Sequence, residues 1–240
     1  MTNIDTYIEI VEKLLARLKG AEKPNIEKAA QVIAAAMQNN KWLYVFGSGH
    51  SSMMAEEFFY RAGGLVRVYP MFEPALLVHQ GATNSTAAER QSGAAKKILD
   101  NYPIAIGDVL VIASNSGRNA VPIEMAIEAK KIGVKIIALT SLNHSKSVTS
   151  RHSSGKRLFE LADIVIDNGG VVGDAAVAVN GEKVAPTSTV INTAIVNAIV
   201  ARVAELLGDK AEFFASSNTD EGEKRNQKYI EKYKDFVSCL

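Results

Sequence analysis

An α/β sandwich around a parallel sheet is the fold class this sequence predicts, on three observations. Short apolar runs recur along the chain, among them Trp42-Leu43-Tyr44-Val45-Phe46, Val109-Leu110-Val111-Ile112-Ala113 and Val134-Lys135-Ile136-Ile137-Ala138-Leu139. Segments with helical spacing separate them, and strands covered on both faces read as continuous apolar runs rather than alternating ones. Two of the runs end in small, hydroxyl-rich turns that then open helices, as strands do at the ligand end of such sheets. Right-handed crossovers turn this alternation into a flavodoxin-like, doubly wound sheet of five parallel strands.

In chain order, Ile4, Ile8, Val11, Leu15 and Leu18 recur at helical spacing over 4–19, and Gly20 is expected to stop that helix. A second helix is predicted from Pro24 to Gln38, ahead of Asn39-Asn40. Strand 42–46 leads to a helix over 51–62 closed by Gly63-Gly64, and strand 65–69 follows. A loop with Pro70 and Pro74 precedes a helix from Thr86 to Leu99. Strand 109–113, helix 120–132 and strand 134–139 continue the alternation, and a short helix at 156–161 feeds strand 163–167. Residues 175–186 break the pattern with a hairpin turning on Asn180-Gly181, a pair suited to the left-handed backbone of a two-residue turn. Thr187-Ser188-Thr189 then cap a helix running to Leu207. The charged segment from Asp220 to Phe236 reads as a weakly amphipathic helix, either solvated or an arm on a partner subunit. The chain thus divides into an N-terminal helical pair (1–40) packing on the core or in a dimer, an α/β domain (41–207) and a C-terminal helical arm (208–240).

Composition narrows the function classes. At 240 residues, with 47% hydrophobic and 22% charged, the chain can bury a sizeable core. A net charge of +1 offers no basic stripe for nucleic acid and no surface for an anionic membrane. No apolar run reaches the roughly 18 residues of a membrane span, and Met1-Thr2-Asn3-Ile4-Asp5 lacks the form of a signal peptide. The single Cys239 permits neither an intrachain disulfide nor a cysteine metal cluster, and a cytoplasmic location is expected. No histidine pair has the helical spacing of a zinc site, so no metal is expected.

The hydroxyl-rich turns carry the chemistry. Gly47-Ser48-Gly49-His50-Ser51-Ser52 follows the first apolar run, and Ser114-Asn115-Ser116-Gly117-Arg118-Asn119 follows the third strand. A buried strand ending in such residues before a helix aims unpaired N–H groups, and the positive end of the helix dipole, at an anion. Two such turns of nearly the same chemistry suggest one phosphate-bearing ligand. No glycine–lysine pair has the upstream glycine of a Walker loop, since position 150, five before Gly155-Lys156, is Ser150. A dinucleotide fingerprint also fails: its sixth position is Ser52, and the next strand closes on Tyr69-Pro70 rather than on an acid. A phosphorylated small molecule fits better than NAD or ATP, and no cofactor is expected.

These turns, with the later Thr140-Ser141, resemble those of the sugar isomerase (SIS) domain family, whose members bind phosphosugars in a five-stranded parallel sandwich. Gly47, Gly49 and Ser51 match the family's first turn, and Ser114, Ser116, Gly117 and Asn119 its second. The run Leu158-Phe159-Glu160-Leu161-Ala162-Asp163 is similar to the family's leucine-alanine-aspartate segment, and the resemblance spans residues 25–207. It implies that Ser51, Ser114, Asn115, Ser116 and Asn119 hold the phosphate, with Ser48 and His50 at its edge and Thr140 and Ser141 in the binding set. It also implies a homodimer or larger assembly, because related proteins complete their sites across subunits. The wide apolar faces of the two N-terminal helices agree with that.

Proton transfer between neighbouring sugar carbons needs a carboxylate or histidine over the reacting carbon. Glu89 lies where several family members carry such a glutamate; as a first-turn acid it could equally serve the helix dipole. His50, in the first turn, is the second catalytic candidate. Arg90 faces either sugar or solvent, His79 reads as a core or interface residue, and the stretch 143–157, with His144 and His152, is either a flap or a solvated loop. Phosphoheptose isomerases carry a glutamate and a histidine on the helix matching 188–207, where this chain has Ser188, Thr189, Asn192 and Asn197. The Ser188-Thr189 opening is similar to that of N-acetylmuramic acid 6-phosphate etherases, which eliminate lactate. Three readings follow: a phosphosugar isomerase, an etherase-like lyase, or a phosphosugar sensor without catalysis.

Overall fold

The apolar runs become the sheet. In the computed structural model, which describes residues 2–240, β1 (Leu43–Gly47), β2 (Val68–Met71), β3 (Val109–Ala113), β4 (Lys135–Thr140) and β5 (Ile164–Asp167) are all parallel. Their order, β2-β1-β3-β4-β5, is the flavodoxin-like winding expected from the alternation. Alternate side chains of each strand enter opposite layers. Leu43, Val45, Val109, Val111, Ile137 and Leu139 pack in one core cluster, and Tyr44, Phe46, Leu110, Ile112 and Ile136 in the other.

The first layer holds α2 (Lys23–Gln38), α3 (Met53–Phe58) and α8 (Ser188–Leu207). By length and composition alone the helical stretch Ser188–Lys210 is apolar enough to cross a membrane, although Ser, Thr, Asn, Arg and Glu residues interrupt it. Its hydrophobicity has a use inside the fold: Ile191, Ile195, Ile199 and Val203 are fully buried against α2 and the sheet. The second layer is built from α5 (Ala94–Leu99) and α6 (Ala120–Ile132). Between strand and core, α4 (Ala82–Glu89) and α7 (Leu142–Ser147) stand at the carboxyl ends of the strands.

Several expected boundaries move, each for a local or tertiary reason. The single helix expected over 86–99 divides into α4 and α5 at Gly93, whose φ of +84° is left-handed backbone that ends a helical path. The helix expected over 51–62 ends at Phe58, after a 3₁₀ turn at Gly49–Ser52. The strand expected over 65–69 begins only at Val68, because Leu65 pairs instead with Phe213 and the Val66 N–H donates to the Glu212 carbonyl. Pro70 is tolerated in β2 because that strand is an edge. The hairpin β6 (Ala175–Val179) and β7 (Glu182–Pro186) forms as predicted, with Asn180 and Gly181 at φ +52° and +85°.

The chain ends do not form appendages. The segment after α8 returns to the second layer, where α9 (Asp220–Tyr233), capped by Thr219, lies over β1. Trp42 meets Tyr233 edge-on at 5.1 Å and stacks on Phe236 at 4.5 Å, while the Tyr69 hydroxyl bonds Ser238. The expected arm is therefore part of the core: its few apolar residues sit where Trp42 needs cover.

At the N-terminus, Gly20 does not stop the helix. One turn of π-helix (Leu18–Glu22) joins α1 (Asn3–Arg17) directly to α2. The extra backbone in that turn sets Glu22 inward. Its Oε2 accepts the Asp167 N–H at 3.1 Å, and Arg17 Nη2 lies 2.6 Å from Asp167 Oδ2 and 3.2 Å from Glu22 Oε1. Asp167 in turn accepts the N–H groups of Leu142 and Gly169, fixing the chain that leaves β5.

Arg17→Met removes the cation between these two buried carboxylates. The expected loss is about 3 kcal/mol of unfolding free energy, read from urea denaturation. A loss below about 1 kcal/mol would show that solvent already screens the pair.

Candidate functional site

The site begins with a register. Gly47 at the end of β1 is opposite Ala113 at the end of β3, so both hydroxyl-rich turns leave the sheet side by side, about 5 Å apart. Gly47 must be glycine, since a Cβ there would stand 2.3 Å from the Ser51 carbonyl oxygen. That clash is the measure of how tightly the first turn folds back, closed by the Ser51 N–H donating to the Ser48 carbonyl at 3.0 Å. Gly49 supplies the left-handed residue of the turn, at φ +58°. Ser48 is buried, Ser51 half-buried and His50 exposed. Among the described residues, the Ser48 and Ser51 hydroxyls and the His50 ring enter no hydrogen bond, while the Ser52 hydroxyl is committed to the Gly49 carbonyl.

The second turn is shaped by its neighbours. Gly117, at φ +55°, gives its carbonyl to the Leu158 N–H, and a Cβ there would stand 3.1 Å from Leu158 Cβ and 3.2 Å from Ser145 Oγ. Ser114 Oγ accepts the Gly117 N–H at 3.3 Å. Ser116 is half-buried with an uncommitted hydroxyl, and Asn115 Nδ2 is buried without a partner. Asn119 starts α6 but its side chain does not cap it, which leaves first-turn N–H groups of the helix free for a ligand.

Instead, the Asn119 amide bridges two charged groups. Its Nδ2 donates to Glu89 Oε2 at 2.8 Å, and its Oδ1 accepts from Arg151 Nη1 at 2.8 Å. The end of α4 is thereby tied to the rim of the second turn, and Glu89 lies beside the site. The loop carrying Arg151 is fastened as well. The Arg151 N–H donates to the Arg118 carbonyl at 2.7 Å, Arg118 Nε to the Thr149 carbonyl at 2.9 Å, and His152 Nε2 is 3.4 Å from Glu124 Oε1. Residues 148–157 are neither a free flap nor a plain solvated loop.

Thr140 and Ser141 behave differently from the other candidates. Both are fully buried, and their hydroxyls donate to the carbonyls of Asn115 and Gly170 at 3.1 and 2.6 Å. Ser141 Oγ also accepts the His144 N–H, capping α7. They brace the turn from beneath instead of presenting donors to a ligand. His144 stands near them; burial pushes its imidazole below the ordinary range, Asp174 opposes that, and Arg118 adds to it. His79 is exposed beyond the apolar Leu76-Leu77 pair.

The SIS domain family model matches residues 6–141. This chain belongs to the SIS domain family. It is 44% identical to a UPF0309 protein of Geobacillus thermodenitrificans, with 99% of this chain and 97% of that protein covered. Among solved structures it is similar to a phosphoheptose isomerase from Francisella tularensis, at 18% identity and a TM-score of 0.58, covering 85% of this chain and 100% of the other. A phosphoheptose isomerase from Neisseria gonorrhoeae gives 15% identity, a TM-score of 0.57 and coverage of 84% and 97%. At those identities the likeness is one of fold.

Within this SIS domain, a further polar group lies under the second turn. Asn168 Nδ2 is shared between Asn115 Oδ1 at 2.9 Å and Asn192 Oδ1 at 3.1 Å, joining β5, the turn and α8. The start of α8 is capped by Asp174, which accepts the Thr187 and Ser188 N–H groups at 3.2 and 2.9 Å. Spacing along the sequence assigned no role to Asn168, Asp174, Arg118 or Arg151. Asn168-Gly169-Gly170, a polar residue and two glycines directly after a buried strand, was the one signal of the same type as the two serine turns. Arg151 carries no such local mark.

Proposed function

We propose that this SIS domain binds the phosphate of a phosphorylated sugar between its two serine turns, and that Glu89 moves a proton on that sugar, as in an isomerase or lyase. The observation that carries the reading is the Gly47–Ala113 register. That register brings the turns that carry the free hydroxyls of Ser48, Ser51 and Ser116 and the uncapped start of α6 side by side, and Asn119 ties Glu89 to the second of them. A dianion held by neutral donors needs several at once, and this arrangement supplies them. The family membership and the fold shared with phosphoheptose isomerases support the ligand class. His50, exposed on the first turn, remains the second candidate for acid–base work.

One observation favours a second reading. The first two turns of α8 carry Ser188, Thr189 and Asn192 and no carboxylate or histidine. With Glu89 as the lone acid tied to the turns, a phosphosugar sensor that holds ligand without turning it over uses the same scaffold.

Ser51→Ala with Ser116→Ala is expected to weaken sugar-phosphate binding by on the order of 1–3 kcal/mol per lost donor, with the fold intact. Unchanged affinity by isothermal titration would remove the phosphate assignment. Glu89→Gln keeps an acceptor for Asn119 but no base. Sugar-phosphate binding should persist in it while turnover drops by roughly 10²–10⁴. The readout is deuterium exchange at the sugar carbon next to the carbonyl, followed by NMR across hexose, heptose, pentose and amino-sugar phosphates. Wild-type protein that exchanges none of them is the sensor.

A homodimer belongs to the same proposal. Helix α1 buries none of its residues fully and leaves Ile4, Ile8 and Leu15 exposed at 75%, 49% and 40%. A symmetric contact is the simplest cover for that face. Light scattering at micromolar concentration should give at least twice the mass of one chain; the mass of a single chain would sink the claim.

A further inference from the structure

Three arginines meet at the rim of the second turn, and among the described residues none of them forms a salt bridge. Arg118 spends Nε and Nη2 on the Thr149 carbonyl and hydroxyl, at 2.9 and 3.4 Å. Arg151 spends Nη1 on Asn119 Oδ1. Arg90, next to Glu89 at the end of α4, makes no side-chain hydrogen bond. Arg151 feels the other two: burial, then the Arg118 and Arg90 cations, lower its basicity, and Glu89 alone opposes them. Three cations against one carboxylate leave an excess of two positive charges at this point.

Such a cluster favours an anion between its members, because each guanidinium repels the others; Arg118 is half-buried, and Arg90 and Arg151 are exposed and open to a ligand. It is also held in place. Backbone bonds lock the Arg151 loop to the Arg118 carbonyl, and the Asn119 amide orients Arg151 beside Glu89. The phosphate pocket does not need these charges, since the hydroxyls of Ser48, Ser51 and Ser116 and the start of α6 already provide a full set of neutral donors. Guanidinium forks match carboxylate and phosphate oxygens alike.

We propose that Arg90, Arg118 and Arg151 form a second anion subsite, so that the sugar phosphate taken by this protein carries a second acidic group, a carboxylate or a further phosphate. The proposal rests on the phosphosugar reading above and deepens it. The second group sits beside Glu89, since the same Asn119 side chain touches both the base and the guanidinium. Binding at two anionic points fixes the sugar along the line from the serine turns to the arginines and brings its intervening carbons past Glu89.

The test is isothermal titration of the full chain with glucose 6-phosphate, 6-phosphogluconate and glucose 1,6-bisphosphate. Wild-type protein should bind at least one of the two doubly anionic probes about tenfold or more tighter than glucose 6-phosphate. Which of the two gains identifies the second group. In the Arg118→Gln, Arg151→Gln double variant that preference should shrink to within about twofold, while glucose 6-phosphate binds as before. Arg90→Gln, which breaks no hydrogen bond, should lose part of the preference and covers the case of a misfolded double variant, checked by circular dichroism. Equal binding of all three probes by wild type overturns the subsite and leaves the phosphate pocket standing. So does an equal loss for all three probes in the arginine variants, which would mean the arginines serve the one phosphate. Failure of the Ser51→Ala, Ser116→Ala variant to weaken any probe overturns the pocket itself, and the subsite with it.

Discussion

Parallel pairing of β1 with β3, in the register that sets Gly47 beside Ala113, is the constraint on which the site depends. A parallel ladder with both faces covered leaves its polar backbone exposed only at the strand ends, and the ends of adjacent strands are the closest two turns can approach. Both turns here reverse direction at glycines: at Gly47 the Ser51 carbonyl already occupies the Cβ position, and Gly117 combines left-handed backbone with close contacts to Leu158 and Ser145. The hydroxyls are thereby gathered by packing, before any ligand arrives. Free N–H groups and hydroxyls at such a place have no better partner than an anion.

The same end of the sheet is braced from below by polar groups already committed to partners within the protein. Thr140 and Ser141 spend their hydroxyls on carbonyls, Asn168 ties the second turn to α8, and Asp167 collects Arg17 and two backbone N–H groups. The N–H of Asp167 itself goes to Glu22. This network couples the N-terminal helices, 145 residues away in sequence, to the loops around the site. A buried carboxylate survives there only because it is both paired and hydrogen-bonded.

Charge at the rim is organised on the opposite principle. Glu89, Asn119 and Arg151 form a chain of two 2.8 Å bonds in which a neutral amide separates a base from a cation. An amide can hold both because it has a donor and an acceptor side. Direct pairing of Glu89 with Arg151 would occupy the carboxylate; the amide leaves one oxygen of Glu89 and most of the Arg151 fork uncommitted.

Much of this was legible along the chain. Continuous apolar runs mean strands buried on both faces, and these runs and the spacing between them led to the five-stranded winding, the helices 120–132 and 188–207 and the Asn180-Gly181 hairpin, because each depends on residues close in sequence. The paired serine turns were legible for the same reason. What the tertiary structure decided is everything that depends on distant partners. Gly20 passes through a π-turn because Glu22 is drawn to Asp167, β2 starts late because Leu65 and Val66 pair with the chain after α8, and the C-terminal segment becomes core because Trp42 needs cover. Glu89 and Arg151 meet at Asn119 across 30 and 32 residues. Thr140 and Ser141, which share the hydroxyl chemistry of Ser51 and Ser116, turn out to be scaffold. Residue type determined that two hydroxyl-rich turns would stand at the strand ends; only packing decided which of their hydroxyls stay free, because burial and partners are properties of the neighbours and not of the residue.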